Sequence, residues 1–389
     1  MNKVYLCLAH MSGNEMKYIQ EAFDTNWVVP LGPNVNAFEE DLEAFVGEGK
    51  KVVALASGTA AVHLAMVSLG VSPGDDVICQ SFTFAASCNP ATYLGATPVF
   101  VGSEEKTWNM DPNLLEDAIK DRIKKTGRKP KVIVPVYLYG MPAYIDDIME
   151  IAHRYEIPVI EDSAEAFGSR YKSRMTGTFG DYGIMSFNGN KMITTSGGGA
   201  LICPDEESKR KIMFYATQAR EPKPYYLHKE IGFNYRMSNI CAGIGRGQMT
   251  VVEDHVNHHK RIARMYAEAF AQEECIRYHE QPEPEMDSNF WLSTITFETE
   301  DALRPLDSAA DLEPCESVMR VLNALAEKGI ESRPLWRPMH TQPVYKDAPA
   351  YISGVSERMF RKGLCLPSGP CVTDEDVNRI IDIVKATIR

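Results

Sequence analysis

Short apolar runs alternate along the first half of the chain with stretches whose apolar positions recur at helical spacing. The runs are Val52–Leu55, Asp76–Gln80, Thr97–Val101, Val132–Val136, Pro158–Glu161, Gly183–Phe187 and Gly199–Cys203. Helical stretches cover residues 12–25, Val35–Val46, Ala60–Leu69, Ala85–Leu94, Leu114–Lys125 and Ala143–Tyr155. Alternation of this kind predicts an α/β fold: a mostly parallel central sheet with helices on both faces. Ligands of such sheets bind beyond the carboxyl ends of the strands, so residues just after each strand are the ones to inspect.

The second half follows another pattern. After Ser238 a long helical pattern, with Ile240, Ile244, Met249 and Val252 in phase, runs to about Phe270. It reads as a connecting helix, which divides the chain into a large domain, 1–245, and a smaller C-terminal α/β domain, 246–389. Residues 290–297 and 330–336 supply strand-like runs there, Cys315–Lys328 and Asp374–Ile388 supply helices, and 281–287 and 302–314 read as loops. The stretch after Arg220 is dense in Pro, Tyr and polar groups, a loop of functional composition. The Pro/Gly segment around Trp27 either edges a site or merely connects two elements.

With 389 residues, 44% hydrophobic and 24% charged, the chain has the composition of a globular protein with a sizeable core. Its formal net charge of −12 argues against a nucleic-acid surface, and the one basic run, Lys124 to Lys129, reads as a solvated loop. Nine cysteines, without the two-residue spacing of a zinc or redox motif, read as reduced thiols and give no metal site. With no secretory or membrane-spanning run, the expected location is the cytoplasm.

Chemistry gathers at the strand ends. Lys191 sits in a polar turn between an apolar strand and Gly197-Gly198-Gly199. A lysine desolvated there is a competent amine for Schiff-base formation with an aldehyde, although most lysines merely solvate a surface. Ser57-Gly58-Thr59 lies between a strand and a helix, where backbone N–H groups face an anion; the same residues also suit a plain helix N-cap. The turn is neither a Walker loop nor a dinucleotide fingerprint. Asp162 follows an apolar strand, where a buried carboxylate needs a cationic partner, or else it caps a helix. Ser81–Phe84 and Tyr137–Gly140 also follow strands, so five segments converge on one crevice.

A phosphate cradle, an aromatic ring, an Asp and a desolvated Lys together fit pyridoxal 5′-phosphate. Lys191 would anchor it and carry protons, Asp162 would keep its pyridine nitrogen protonated, Ser57, Gly58, Thr59 and Ser186 would hold its phosphate, and Phe84 would lie against its ring.

The chain resembles the DegT/StrS sugar aminotransferase family of fold-type I pyridoxal-phosphate enzymes. The resemblance rests on Ala56-Ser57-Gly58-Thr59-Ala60-Ala61, Thr83-Phe84, Glu161 to Gly168, Ser186-Phe187 through Lys191 with the three glycines, and Gly232 to Asn239. It implies a fold-type I transferase in which Lys191 is the covalent anchor, Asp162 meets the pyridine nitrogen, Glu165 lies near the cofactor hydroxyl and Phe84 stacks. Pyridoxamine 5′-phosphate is then the aminated form of the cofactor. It also implies a homodimer with shared active sites, in which Asn234 reaches the partner's cofactor phosphate. Many members have Gln at the Glu165 position and His at the Tyr137 position, a departure in this chain. Ser186 to Lys191, Gln218 to Pro222 and Arg333 to His340 resemble the branch that transfers an amino group from L-glutamate to carbon 4 of a UDP-linked 4-keto-6-deoxy-N-acetylhexosamine, for capsule or glycan synthesis. Arg220, His228, Trp336 and His340 are then candidates for the nucleotide sugar, each with loop packing as the alternative. A dehydratase of the family would carry His at Lys191, and a regulator on this scaffold would have lost Lys191 or Asp162.

Overall fold

The computed structural model describes residues 3–304 and 312–388. Seven strands build its central sheet: β1 Lys51–Leu55, β2 Asp76–Gln80, β3 Thr97–Val101, β4 Val132–Val134, β5 Ile160–Asp162, β6 Tyr182–Ser186 and β7 Gly199–Cys203. They form one ladder in the order β1-β7-β6-β5 and another in the order β3-β2-β4. Parallel bridges Ile133↔Val159 and Val136↔Asp162 join the two into a continuous sheet. Only β7 runs against its neighbours, so the sheet is mostly parallel, in line with the alternation of the sequence.

Successive residues of each strand feed opposite faces, as the period of two requires. Val52 and Ala54 pack with Phe38 and Leu42 of helix Pro33–Val46, whereas Val53 and Leu55 pack with Leu64 of helix Gly58–Ser68 and Ile212 of helix Glu206–Ala216. Ile78 and Val99 meet Ile119 and Ile148 of helices Pro112–Thr126 and Ile145–Tyr155, with Val77 and Phe100 on the reverse side. Both faces are therefore covered, which explains the apolar runs at the centres of the strands.

The smaller part carries β8 Ile276–Tyr278, β9 Ser293–Phe297, β10 Arg333–Pro334 and, after β11 Ala350–Tyr351, β12 Gly363–Leu366. Four of these pair antiparallel in the order β8-β9-β12-β10, over a core with Tyr266, Phe270, Val321, Leu325 and Ile380. Two segments cross the expected 245/246 division. Val4 joins this smaller core, donating to the Gly329 carbonyl at 3.0 Å and accepting from Glu331 N–H at 2.8 Å. In the other direction, β11 extends the central sheet beside β3.

The long connecting helix is two helices, Asn239–Met249 and Val252–Phe270. They part at the β-branched pair Thr250 and Val251, where the Thr250 hydroxyl donates back to the Gly247 carbonyl at 2.6 Å. The stretch Ala85–Leu94 likewise divides, into a turn of 3₁₀ helix Ala85–Ser87 and helix Asn89–Tyr93, because Pro90 cannot continue the hydrogen-bond ladder. Within the expected loop 281–287, Met286–Asp287 pairs with Arg170–Tyr171. The expected loop 302–314 begins in helix Glu300–Leu303, and its residues 305–311 lie outside the described residues. Helix Glu206–Ala216, which periodicity left unread, starts at Asp205, whose carboxylate accepts from Ser208 N–H at 2.8 Å.

Leu55 of β1 pairs with Gly199 of β7, immediately before the Ser57–Thr59 turn. A Cβ at position 199 would lie 2.3 Å from Gly58 N and 2.7 Å from the Met185 carbonyl oxygen, both backbone atoms that cannot rotate away. Gly199→Ala is expected to lower unfolding free energy in urea by about 1–3 kcal/mol. Gly189→Ala, where a Cβ meets nothing within 4 Å, serves as the comparison. Equal midpoints for the two variants would refute the close approach.

Candidate functional site

A cleft of about 300 Å³ opens at the carboxyl ends of β1, β5 and β6, at the lower end of the range for small-molecule sites. Ser57, Gly58, Thr59, Phe84, Asp162, Glu165, Ser186, Lys191 and Trp336 all line it. Chain segments distant in sequence thus supply one site. Ser57 caps helix Gly58–Ser68, accepting from Ala60 N–H at 3.0 Å, and the cleft also meets that helix N-terminus. The cap satisfies Ala60 and leaves Gly58 and Thr59 N–H groups, which lack intrahelical acceptors, facing the cleft.

Asp162 ends β5 and is followed by turns, so it caps no helix. Its Oδ2 accepts from the Ser87 hydroxyl at 2.6 Å and its Oδ1 from Ala164 N–H at 3.1 Å. Burial raises its pKa, while the Ser87 bond, the Ala164 N–H and Lys191 lower it. Glu165 is also buried; its Oε2 accepts from Tyr139 N–H at 2.6 Å, and its Oε1 lies 3.9 Å from Lys191 Nζ. Burial pushes the Glu165 carboxyl up to about 7, against the pull of Lys191. Lys191, only 13% exposed, is held below the usual lysine range by burial, against the opposing pull of Glu165, Asp162 and Cys7. An amine near two carboxylates and poor in water has its neutral and charged forms brought closer in free energy.

The loop carrying Lys191 is braced from several sides. Phe187 N–H donates to the Gly198 carbonyl at 2.9 Å and Thr195 N–H to the Phe187 carbonyl at 2.9 Å, closing its base. Thr194 N–H donates to Gln248 at 3.3 Å, and His255 Nδ1 donates to the Met192 carbonyl at 3.1 Å. Because a carbonyl only accepts, that bond assigns the proton to Nδ1 of His255.

These residues suit pyridoxal phosphate. A phosphate would find the helix N-terminus and the Ser186 hydroxyl, a pyridine nitrogen would find Asp162, whose lone pairs are not exhausted by Ser87 and Ala164, and an aldehyde would find Lys191. Phe84 leaves 59% of its surface exposed at the cleft, with only a tilted contact to Trp336 at 5.5 Å between centroids. A flat apolar ring left open in this way is a ready stacking surface.

Arg220, His228 and Asn234 do not line this cleft. They share a separate hollow with Gln218, Tyr226 and Arg236, at the base of a lobe closed by the bridges Thr217↔Asn234 and Arg220↔His228. Gln218 and Ala219 take left-handed backbone angles, φ 66° and 51°, so the turn before Arg220 is held under strain. The Arg220 guanidinium lies 5.1 Å from the Tyr226 ring centroid. His340 is also outside the cleft: Nδ1 lies 2.7 Å from the Ser81 hydroxyl and Nε2 3.2 Å from Glu357, so both ring nitrogens have partners. Tyr137 points to the other side of the sheet, its hydroxyl bonded to Glu161. Trp27 lies away from the cleft, its carbonyl accepting from Asn239 at 2.9 Å.

Ser87 and Trp291 are cleft residues that sequence reading missed. Ser87 lies in what reads as a helical stretch, and Trp291 lies in the strand-like run 290–297, where an aromatic reads as core. The only signal for Ser87 was its place just beyond Phe84.

The sequence pattern of the DegT/DnrJ/EryC1/StrS aminotransferase family matches residues 9–385. A protein of Bacillus subtilis (strain 168), named as the putative pyridoxal phosphate-dependent aminotransferase EpsN, is 46% identical over 98% of this chain and 95% of its own. The GDP-perosamine synthase of Caulobacter vibrioides is 35% identical over 97% of this chain and 96% of its own. Among solved structures, the putative sugar aminotransferase Spr1654 of Streptococcus pneumoniae, in its PLP form, superposes with a TM-score of 0.88 at 25% identity, covering 99% of this chain and 98% of that one.

Because the Glu165 carboxylate supports the Lys191 ammonium, Glu165→Gln is expected to shift the appearance of the neutral amine to lower pH. Mass-spectrometric labelling of Lys191 with an amine-reactive reagent across pH measures this. A profile that stays in place or moves upward would remove Glu165 from the balance.

Proposed function

The chain belongs to the DegT/DnrJ/EryC1/StrS aminotransferase family, and from that premise we propose that it moves an amino group from L-glutamate to carbon 4 of a UDP-linked 4-keto-6-deoxy-N-acetylhexosamine. The product would be a UDP-4-amino-4,6-dideoxy-N-acetylhexosamine for capsule or glycan synthesis. The observation that carries the reading is Lys191 Nζ set 3.9 Å from the buried Glu165, in a cleft that also holds Asp162 and the Ser57–Thr59 helix N-terminus.

Pyridoxal phosphate, when bound, supplies an aldehyde for reversible amino-group uptake and a ring that withdraws electrons. Lys191 provides the anchoring amine and, when free, the base that moves a proton at the reacting carbon. Asp162, oriented by Ser87, holds a positive charge at the pyridine nitrogen. Gly58 and Thr59 N–H groups with the Ser57 and Ser186 hydroxyls hold phosphate, Glu165 serves the ring hydroxyl, and Phe84 covers the ring.

The exposed position of Arg220, His228 and Asn234 supports a homodimer in which this lobe serves the partner's cleft. There Asn234 would meet the cofactor phosphate, and Arg220 and His228 the sugar diphosphate. Exposed Tyr225, Tyr226 and Ile231 on the same lobe give it apolar surface to bury. Trp336 stays a substrate-side residue, whereas His340 acts by bracing the segment behind it through Ser81 and Glu357. The nine unpaired thiols are in keeping with a cytoplasmic setting. Among the described residues, no helix is long and apolar enough to cross a membrane.

Borohydride treatment of the loaded protein is expected to leave a pyridoxyl mass on the peptide containing Lys191; a label on another lysine would sink the assignment. Asp162→Asn is expected to keep the fold and slow the half-reaction with L-glutamate by about 10²- to 10³-fold in stopped-flow absorbance. Mixing Lys191→Ala and Asn234→Ala subunits should restore activity absent from either homodimer, because one hybrid site is intact. No restoration would overturn the shared site. The family relative named for a GDP sugar favours a second reading, a GDP-linked 4-keto sugar. Incubating enzyme and L-glutamate with UDP- and GDP-4-keto sugars, and reading carbon 4 by NMR, decides between them.

A further inference from the structure

The carbonyls of the two residues that flank Lys191, Asn190 and Met192, are held by side chains from the second half of the chain. His255 holds that of Met192, and the indole Nε1–H of Trp291 donates to that of Asn190 at 2.7 Å. Trp291 does more than tie the loop. It is 2% exposed, lines the cleft, and presents its ring 3.9 Å from Lys191 Nζ. Two residues earlier, Asn289 donates its amide to the Glu165 carbonyl at 2.9 Å and the Phe167 carbonyl at 3.0 Å, and its Oδ1 accepts from Trp291 N–H at 2.9 Å. Phe290 between them is held at φ 49°, an angle a bulky residue takes only when its neighbours impose it. One short segment therefore touches the backbone of Glu165 and the backbone next to Lys191.

We infer that Trp291 is a positioning residue for the reaction: its indole N–H sets where Lys191 points, its ring face stabilises the lysine's cationic form, and Asn289 ties that position to Glu165. This rests on Lys191 being the covalent anchor. The other groups facing Nζ are Asp162 at the end of β5, Glu165 from the segment after it, and Cys7 from the N-terminal segment. Burial pushes the Cys7 thiol up to about 12, so it adds no charge at neutral pH. The two carboxylates and the ring face favour the ammonium, and burial opposes it. The ring adds this support without adding a charge, which a third carboxylate would not do.

The two parts of the role separate experimentally. Trp291→Phe keeps an aromatic face and removes the N–H; site-specific replacement of Trp291 by a trifluorinated tryptophan keeps the shape and the N–H and drains charge from the ring. The first readout is the pH profile for uptake of pyridoxal phosphate by apo-protein, followed by absorbance, since only the neutral amine reacts. The second is the half-reaction of loaded protein with L-glutamate. The fluorinated protein is expected to take up cofactor about two- to tenfold faster on the acid side of the profile. Trp291→Phe is expected to hold that profile within about twofold and lose about tenfold in the half-reaction, the worth of one well-placed hydrogen bond. An acid limb unchanged by fluorination would overturn the ring's role, and a half-reaction unchanged in Trp291→Phe would overturn the clamp. Should Trp291→Phe not fold, the isosteric fluorinated protein still decides the first point. Borohydride mapping separates the two levels: a label away from Lys191 rejects the anchor, whereas a label on Lys191 with parental behaviour in both variants rejects only the part assigned to Trp291.

Discussion

A nearly dry lysine has to be kept between two protonation states, and most of the surrounding structure serves that constraint. Removed from water, an ammonium is costly and a carboxylate equally so; placed within reach of one another they offset part of that cost. Lys191 faces Glu165 at 3.9 Å, with Asp162 and the Trp291 ring also acting on it. Deleting any one partner leaves a charge poorly compensated in the cleft, so the group works as a unit. The same balance distinguishes transamination from the dehydratase reading: a histidine at position 191 has no primary amine to anchor an aldehyde, and this chain has the lysine.

Rigidity around the lysine comes from distant chain segments. The sheet fixes Asp162 at the end of β5 and Ser186 at the end of β6, in adjacent parallel strands paired through Asp162↔Ile184. Gly199 lets β7 close on the Ser57–Gly58 backbone, so the Ser57–Thr59 turn and the base of the Lys191 loop are pressed together. Helices Asn239–Met249 and Val252–Phe270 then reach the loop through Gln248 and His255, and the segment before β9 reaches it through Trp291. The N-terminal residues, paired to Gly329 and Glu331, link the start of the chain to the small antiparallel sheet. Catalytic geometry in a loop is thereby set by packed helices and strands.

The lobe of residues 217–236 follows a different logic. Its polar groups, Arg220, His228 and Asn234, stand in solvent around a hollow of their own, and its tip carries exposed tyrosines. Two consecutive left-handed residues, Gln218 and Ala219, set the turn leading into it, and its exposed tyrosines are apolar area that the proposed homodimer would bury.

Periodicity alone settled the α/β class, the central strands nearly to the residue, and the location of chemistry at their ends, because strands buried on both faces must be apolar and helices between them must repeat at 3.6. Lys191, Asp162, Ser57, Gly58, Thr59, Ser186 and Phe84 were legible because each lies at or just beyond the carboxyl end of a strand, where ligands of such sheets bind, and Glu165 was legible through the family resemblance. What only the tertiary structure decided depends on contacts between residues far apart in the chain. Trp291 and Asn289 look like core until their bonds to Asn190 and Glu165 are seen. His340 looks like a ligand until Ser81 and Glu357 engage both its nitrogens. Thr250 and Val251 lie inside an unbroken helical pattern, yet the chain breaks there. The physical reason is common to all of these: local spacing records which face a residue turns inward, and carries nothing about the group that meets it there.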